Sequence, residues 1–129
     1  PNSVRPWQHV LEPVCGYLLL AQRVSDFSCN YSDAYNFGPL PEDHLNVREL
    51  ADLVTGIWPN AAWFDASSAN QPHEAGLLKL NISKIQSELG WKPKLNVKEA
   101  VAWTIEWYMQ PIEKQLDITN EQILKYLNL

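Results

Sequence analysis

Two Asn-x-x-Glu pairs fix where two helices of this 129-residue chain begin. They are Asn46–Glu49 and Asn96–Glu99, and each stands at the start of an apolar run. This is the capping-box pattern, in which the asparagine side chain accepts a hydrogen bond from the third helical amide and the glutamate reaches back. The pattern predicts one helix over residues 47–57 and a second over residues 97–109, which Pro111 ends.

Apolar residues at helical spacing predict a further helix over residues 11–24. It starts near Glu12, because a proline such as Pro13 is tolerated in a helix only in the first turn. A brief helix in the middle of the chain is predicted to stop at Gly90, where glycine suits the left-handed stop position. Thr119, with a glutamine three residues later, predicts the start of a last helix.

Three short stretches have the composition of strands: "AYNFG" (34–38), "AAWFDA" (61–66) and "GLLKLN" (76–81). Strands that alternate with helices indicate the α/β class, here with mostly helices and a few short strands. Two or three short strands do not form a self-sufficient parallel sheet. We therefore expect some of them to pair with polypeptide outside this sequence.

Composition excludes several classes of function. The net charge is −5, with no basic stripe of the kind that nucleic-acid binding needs. No apolar stretch approaches the length that spans a bilayer, and no secretory signal is visible. We expect no nucleic-acid partner, no membrane partner and a cytoplasmic location. A small anionic ligand stays possible, because one or two well-placed cations suffice for a diphosphate.

The cysteines and histidines do not form a metal-ligand pattern. Cys15 falls within the apolar helix pattern and is interpreted as a small core residue. A Cys15–Cys29 disulfide is possible, although the cytoplasm keeps thiols reduced. His9, His44 and His73 are too dispersed in the sequence to indicate a zinc site.

Three stretches, in order, match one family pattern. "RPWQHV" (5–10) resembles the arginine–aromatic–valine strand of the extended short-chain dehydrogenase/reductases that act on nucleotide sugars. "AYNFG" is similar to their Tyr-Asn-Ile/Leu-Gly strand, and residues 73–108 resemble their closing segment. Pro6, together with the "PHEA" stretch, makes the chain most similar to the CDP-glucose 4,6-dehydratase branch of the family.

The resemblance implies a division of labour between two halves of a Rossmann-type enzyme. This chain carries no glycine-rich GxxGxxG loop, and none of its five tyrosines is followed four residues later by lysine. It therefore resembles the C-terminal substrate-binding part, lacking the N-terminal NAD-binding half. Residues 1–110 would be that part, with residues 11–38 returning to the Rossmann sheet. Residues 111–129 would be a helical tail.

The reaction of that branch, as the resemblance implies, dehydrates CDP-glucose to CDP-4-keto-6-deoxyglucose with NAD as the cofactor. NAD would be bound by the half that this sequence does not contain. The chain alone is then expected to be inactive, with no catalytic residue and no metal ligand of its own. A truncated sheet exposes strand edges and apolar faces, so we also expect a homo-oligomer.

The resemblance also assigns substrate contacts, each with a simpler alternative. Arg5 would hold the diphosphate through its rigid donors, or it is a solvated arginine. His9 would donate to a hydroxyl or phosphate of the substrate, or it is a buried histidine with satisfied hydrogen bonds. Glu74 would accept from the ribose hydroxyls, with His73 beside it, or both lie in an exposed loop. Trp7 is interpreted as a packing aromatic rather than a base-stacking platform.

Other features keep alternatives open. Glu12 is interpreted as a carboxylate that stabilises a helix dipole, and Lys84 as a surface residue at a helix start. As the resemblance implies, many relatives carry an arginine a few residues before the acidic residue as a second phosphate contact, whereas residues 70–72 here are Asn-Gln-Pro. Within the enzyme class, the alternative to a CDP-glucose 4,6-dehydratase is that this chain is part of another nucleotide-sugar 4,6-dehydratase or of a 4-epimerase. A helical interaction module without a ligand is the alternative from a different class.

Overall fold

The computed structural model describes residues 1–26, 33–68 and 75–129. These residues are mostly helical, with a two-stranded antiparallel sheet in which Arg5 lies opposite Leu45. Single turns of 3-10 helix cover Pro41–Asp43 and Ile112–Lys114. The architecture is compatible with part of an α/β protein. The strands and α-helices of the described residues are β1 (Val4–Arg5), α1 (Leu11–Ser25), β2 (Leu45–Asn46), α2 (Val47–Ile57), α3 (Ser83–Leu89), α4 (Val97–Tyr108) and α5 (Gln115–Leu127).

Both predicted capping boxes are confirmed. The Asn46 side chain accepts from the Glu49 amide at 2.9 Å, and the Glu49 carboxylate accepts from the Asn46 amide at 2.8 Å. The same pair of bonds forms at the start of α4. Gly90 ends α3 in the left-handed conformation at φ 68°, as its place in the sequence predicts. These local signals therefore fix three helix boundaries.

A first core cluster packs α1 against α3. It also includes residues just before and just after α3, and Phe37 from the chain that follows α1. Phe37 and Trp91 meet edge to face, with 5.1 Å between ring centroids. Gly16 of α1 passes close to this pair, and a Cβ atom there would lie 2.3 Å from the Phe37 ring. The close approach requires glycine at this position. The buried members of the first core cluster are Phe37, Ile82, Ile85, Leu89 and Trp91.

A second core cluster joins α1 to α4 and α5. Its buried members are Leu95, Trp103 and Tyr126, with Leu11 and Cys15 of α1 packed against them. Cys15 is a free thiol, and burial raises the pKa of that thiol. The interpretation of Cys15 as a core residue is therefore supported, while Cys29 lies outside the described residues. Residues 111–129 contain the 3-10 turn and α5, and α5 buries Tyr126 in this cluster.

The three predicted strands do not form a sheet with one another among the described residues. Residues 34–38 and 61–66 form no strand, and in 76–81 only Leu77 makes an isolated bridge, to Val4. An extended segment becomes a strand only when a neighbour completes its ladder, and the described residues offer few such neighbours. At Phe37 the Gln8 side chain donates to the backbone carbonyl at 3.0 Å instead.

Two helix starts differ slightly from the prediction. α1 begins at Leu11, one residue earlier than predicted. α5 begins at Gln115 rather than near Thr119, and the Thr119 hydroxyl donates to the Gln115 carbonyl inside the helix. A threonine that bonds back to the preceding turn is an ordinary helix-interior residue, so the pattern was not a cap.

Candidate functional site

The short strand β1 lies between two neighbouring segments. On one side it pairs with β2, and on the other Val4 forms a parallel bridge with Leu77. The Val4 amide donates to the Gly76 carbonyl at 2.8 Å, and the Leu78 amide donates to the Val4 carbonyl at 3.1 Å. These bonds place the residue before Arg5 against the chain that follows Glu74 in the sequence.

Arg5 is half-buried at the end of β1. Its Nη1 donates to the Val4 carbonyl at 2.8 Å, which turns part of the guanidinium back toward its own strand. Two residues on, the Trp7 indole donates to the Leu45 carbonyl of β2 at 3.0 Å. This bond supports the interpretation of Trp7 as a packing aromatic, because it fastens the segment to the sheet.

His9 is 5% exposed and lies edge to face against Trp103, with 5.8 Å between ring centroids. Its Nδ1 accepts from the Leu11 amide at 3.3 Å at the start of α1. Burial lowers the pKa of this imidazole and therefore favours its neutral form. A neutral ring that accepts at Nδ1 carries its proton on Nε2, which leaves one donor.

A cavity of about 480 Å³ lies between α4, α5 and the chain that leads into α1. Its size and mixed lining are typical of small-molecule sites. His9 lines it, whereas Arg5 does not. On its wall the Trp107 indole donates to the Thr119 hydroxyl at 2.8 Å. The lining residues are Gln8, His9, Val10, Leu11, Thr104, Trp107, Tyr108, Thr119, Gln122 and Ile123.

His73 and Glu74 lie outside the described residues, so their predicted roles stay predictions. Of the four predicted substrate contacts, the structure therefore describes Arg5 and His9. These two are four residues apart on one segment. Among the described residues, no group of three or more histidine, cysteine or acidic side chains could hold a metal ion. No helix in the described part of the chain is long and apolar enough to cross a membrane.

Sequence reasoning missed the role of Glu12. The residue does lie in the first turn of α1, but its side chain turns inward and is 1% exposed. Its carboxylate accepts from the backbone amides of Lys94 and Leu95 and from the Tyr126 hydroxyl. The interpretation of Glu12 as a helix-dipole residue is therefore incomplete, because partners far away in the sequence hold it. An acidic residue inside an apolar helix pattern was the one available signal.

Lys84 also has a fuller role than predicted. Its ammonium group contacts Asp33, donates to the Ala34 carbonyl at 3.2 Å and lies over the Tyr35 ring. Tyr35 in turn donates to Glu88 at 2.6 Å. These contacts fasten the segment before Phe37 onto α3.

The chain resembles known sugar-nucleotide enzymes along most of its length. No protein-family model matches it. It is 37% identical over 130 residues, or 99% of the chain, to the CDP-glucose 4,6-dehydratase of Salmonella typhimurium. It is 29% identical over 96 residues, or 72% of the chain, to "Probable GDP-L-fucose synthase 1" of Oryza sativa subsp. japonica. The chain spans 36% of the length of the first relative and 28% of the second.

Proposed function

Since this chain belongs to the extended short-chain dehydrogenase/reductase family, we propose that it supplies the substrate-binding side of a nucleotide-sugar 4,6-dehydratase, with CDP-glucose as the substrate. The identity to a CDP-glucose 4,6-dehydratase supports this choice of reaction and substrate. The structural observation that carries the proposal is the bonding of Val4 to Gly76 and Leu78. It brings together two of the three family motifs, which are far apart in the sequence.

In the proposed substrate site, a cationic side chain binds the diphosphate and an acidic side chain binds the ribose. Arg5 binds the diphosphate, because a guanidinium offers paired donors that match phosphate oxygens. Glu74 accepts from the ribose hydroxyls, with His73 beside it. Glu74 precedes Gly76 by two residues in the sequence, and Gly76 bonds to the residue before Arg5. His9 adds a donor through Nε2.

The division into parts is also a proposal. Residues 1–110 form the substrate-binding portion, and residues 11–38 belong to the side that contacts the cofactor-binding polypeptide. The outward face of α1 supports this assignment, because Leu18 is 66% exposed and Tyr17 is 58% exposed. Such a large apolar face needs a partner. In this proposal the partner is the cofactor-binding polypeptide, which corresponds to the part of the first relative's length that this chain does not span.

NAD is the proposed cofactor, and this sequence does not carry the motifs that would bind it. The sequence has neither a glycine-rich phosphate loop nor a Tyr-x-x-x-Lys pair. The first turns of α2 and α4 are closed by capping boxes, and Asp43 additionally accepts from the Val97 amide at 3.0 Å. Neither helix start is therefore arranged to receive a pyrophosphate. The cofactor would be held by the other polypeptide portion, as the sequence predicts.

Calorimetric titration with CDP tests the proposed substrate site. We expect Arg5→Ala to weaken CDP binding about 10-fold or more, because a charge-assisted hydrogen bond is lost. Arg23→Ala, on the exposed last turn of α1, is the matched control and should leave the affinity unchanged. Equal effects of the two variants would contradict the role of Arg5.

An activity assay tests the division of labour. We expect this chain, incubated with CDP-glucose and NAD⁺, to form no 4-keto product, because the catalytic tyrosine–lysine pair is not in its sequence. Detectable turnover by the chain alone would refute the proposal. The cytoplasmic location and the homo-oligomer stay predictions, and sedimentation of the purified chain checks the second.

A second candidate is a nucleotide-sugar enzyme with another base or reaction, such as a 4-epimerase. The similarity to a protein named as a GDP-L-fucose synthase favours keeping it. Parallel titrations with CDP, UDP, GDP and dTDP separate the candidates. Preference for CDP supports the dehydratase, and preference for GDP supports the alternative.

A further inference from the structure

The carboxyl-terminal helix is tied to the start of α1 by a buried hydrogen-bond network. Tyr126 is 2% exposed, and its hydroxyl donates to Glu12 at 2.6 Å. The other oxygen of Glu12 accepts from the amides of Lys94 and Leu95, at 2.9 Å and 2.8 Å. Three segments that are distant in the sequence therefore meet at one carboxylate.

Lys94 closes the network from the solvent side. Its ammonium group donates to the Tyr126 carbonyl at 3.0 Å and lies 4.9 Å from the centroid of the Tyr126 ring. Burial, followed by the hydrogen bond to Glu12, raises the pKa of Tyr126 far above its ordinary value. The phenol is therefore protonated and remains a donor.

Glu12 lies immediately after the segment that carries the proposed substrate contacts. The Glu12 amide donates to the His9 carbonyl at 3.0 Å, and the Leu11 amide donates to the His9 ring. The N-cap residue of α1, Val10, makes no capping hydrogen bond with its own side chain. The inward hold on the Glu12 carboxylate, together with these two bonds, therefore sets where α1 begins and how the preceding chain approaches it.

We propose that Tyr126 is a positioning residue for the nucleotide-sugar site, acting through Glu12 on the segment from Arg5 to His9. This inference rests on the proposed function. It gives residues 111–129 a role in substrate binding, because α5 also forms one wall of the cavity that His9 lines. Tyr126 itself touches no substrate in this proposal.

Tyr126→Phe is the decisive variant, because it removes one hydroxyl and keeps the ring. Tyr17→Phe, on the exposed face of α1, is the matched control. Amide hydrogen exchange, followed by NMR, reports on the segment directly. In Tyr126→Phe we expect the amides of residues 7–12 to exchange at least 10-fold faster than in the wild type, while those of α3 change less than 3-fold. Tyr17→Phe should change neither set.

Two results would overturn the proposal. One is unchanged exchange over residues 7–12 in Tyr126→Phe. The other is an equal acceleration over residues 7–12 and α3, since that is what a general loss of stability produces. Glu12→Gln keeps an acceptor for the two backbone amides, and it should perturb residues 7–12 less than Glu12→Ala does.

CDP titration separates this inference from the function on which it rests. We expect Tyr126→Phe to weaken CDP binding 3-fold to 10-fold, with no change for Tyr17→Phe. Wild-type affinity in a variant whose residues 7–12 have loosened would overturn the role in substrate binding. A wild-type chain that binds no nucleotide would refute the proposed function, and the exchange experiment would still decide whether Tyr126 positions the segment.

Discussion

The two faces of α1 differ in how completely this chain covers them. The inward face buries Glu12 and Gly16 and packs Cys15 against the second core cluster. The outward face carries apolar side chains at helical spacing that are 41% to 66% exposed: Val14, Tyr17, Leu18 and Val24. One face of α1 is therefore packed within this chain, and the other face is largely exposed. We therefore expect the stability of the chain to depend on the inward face of α1 and its association with a partner to depend on the outward face.

The largest loss of stability is expected from Glu12→Ala on the inward face. Removal of the carboxylate leaves the Tyr126 hydroxyl and two backbone amides buried without an acceptor. We expect the free energy of unfolding to fall by about 4 kcal/mol. Urea denaturation measures this loss. A change below 1 kcal/mol would show that water replaces the carboxylate and that the inward face is less closed than described.

A smaller loss is expected from Gly16→Ala. The added Cβ would lie 2.3 Å from the Phe37 ring, so the helix or the ring must shift. We expect a loss of about 2 kcal/mol in thermal or urea unfolding. Gly56→Ala in α2 is the matched control, because nothing lies within 4 Å of its added Cβ. The control should stabilise by about 0.5–1 kcal/mol through helix propensity, and a loss there equal to that of Gly16→Ala would contradict the packing argument.

Cys15→Ala tests the edge between the two faces. The thiol packs against the second core cluster but is only partly covered. We expect its removal to cost about 1 kcal/mol, close to the value for one buried methylene group. Urea denaturation under reducing conditions measures the difference, and a cost as large as that of Glu12→Ala would mean that the inward face extends further round the helix.

Leu18→Ser on the outward face should have the smallest effect on stability. We expect a change within about 0.5 kcal/mol, because the side chain is already exposed. Association should respond instead, and analytical ultracentrifugation with the cofactor-binding portion supplied in trans should show weaker complex formation than for the wild type. Leu19→Ser, which disturbs the first core cluster, is the control that should cost stability. Unaltered association of Leu18→Ser would contradict the assignment of this face.

The sequence predicted those parts of the fold that local chemistry decides. Asn46 and Asn96 marked two helix starts, and Gly90 marked a helix end, because caps and left-handed stops involve residues a few positions apart. The strands could not be predicted in the same way. "AYNFG" has the composition of a strand, but it forms no ladder among the described residues.

The candidate site shows the same limit. Arg5 and His9 could be selected by their motif, but only Arg5 of residues 5–10 lies on a strand, next to Val4, which bonds to Gly76. The burial of His9 against Trp103 depends on a contact across 94 positions of sequence, which no local pattern reports. The sequence indicates only a helix-dipole role for Glu12, because its partners Lys94, Leu95 and Tyr126 lie far along the chain.

The hydrogen bond between Glu12 and Tyr126 also determines when, during synthesis, part of the core can form. It joins side chains 114 positions apart, so a ribosome must translate almost this entire stretch before the second core cluster can close. Until then the Glu12 carboxylate lacks one of its three hydrogen-bond donors, and the apolar surface around it stays uncovered. A stop codon placed before Tyr126 would therefore leave a polypeptide that chaperones and proteases treat as unfinished.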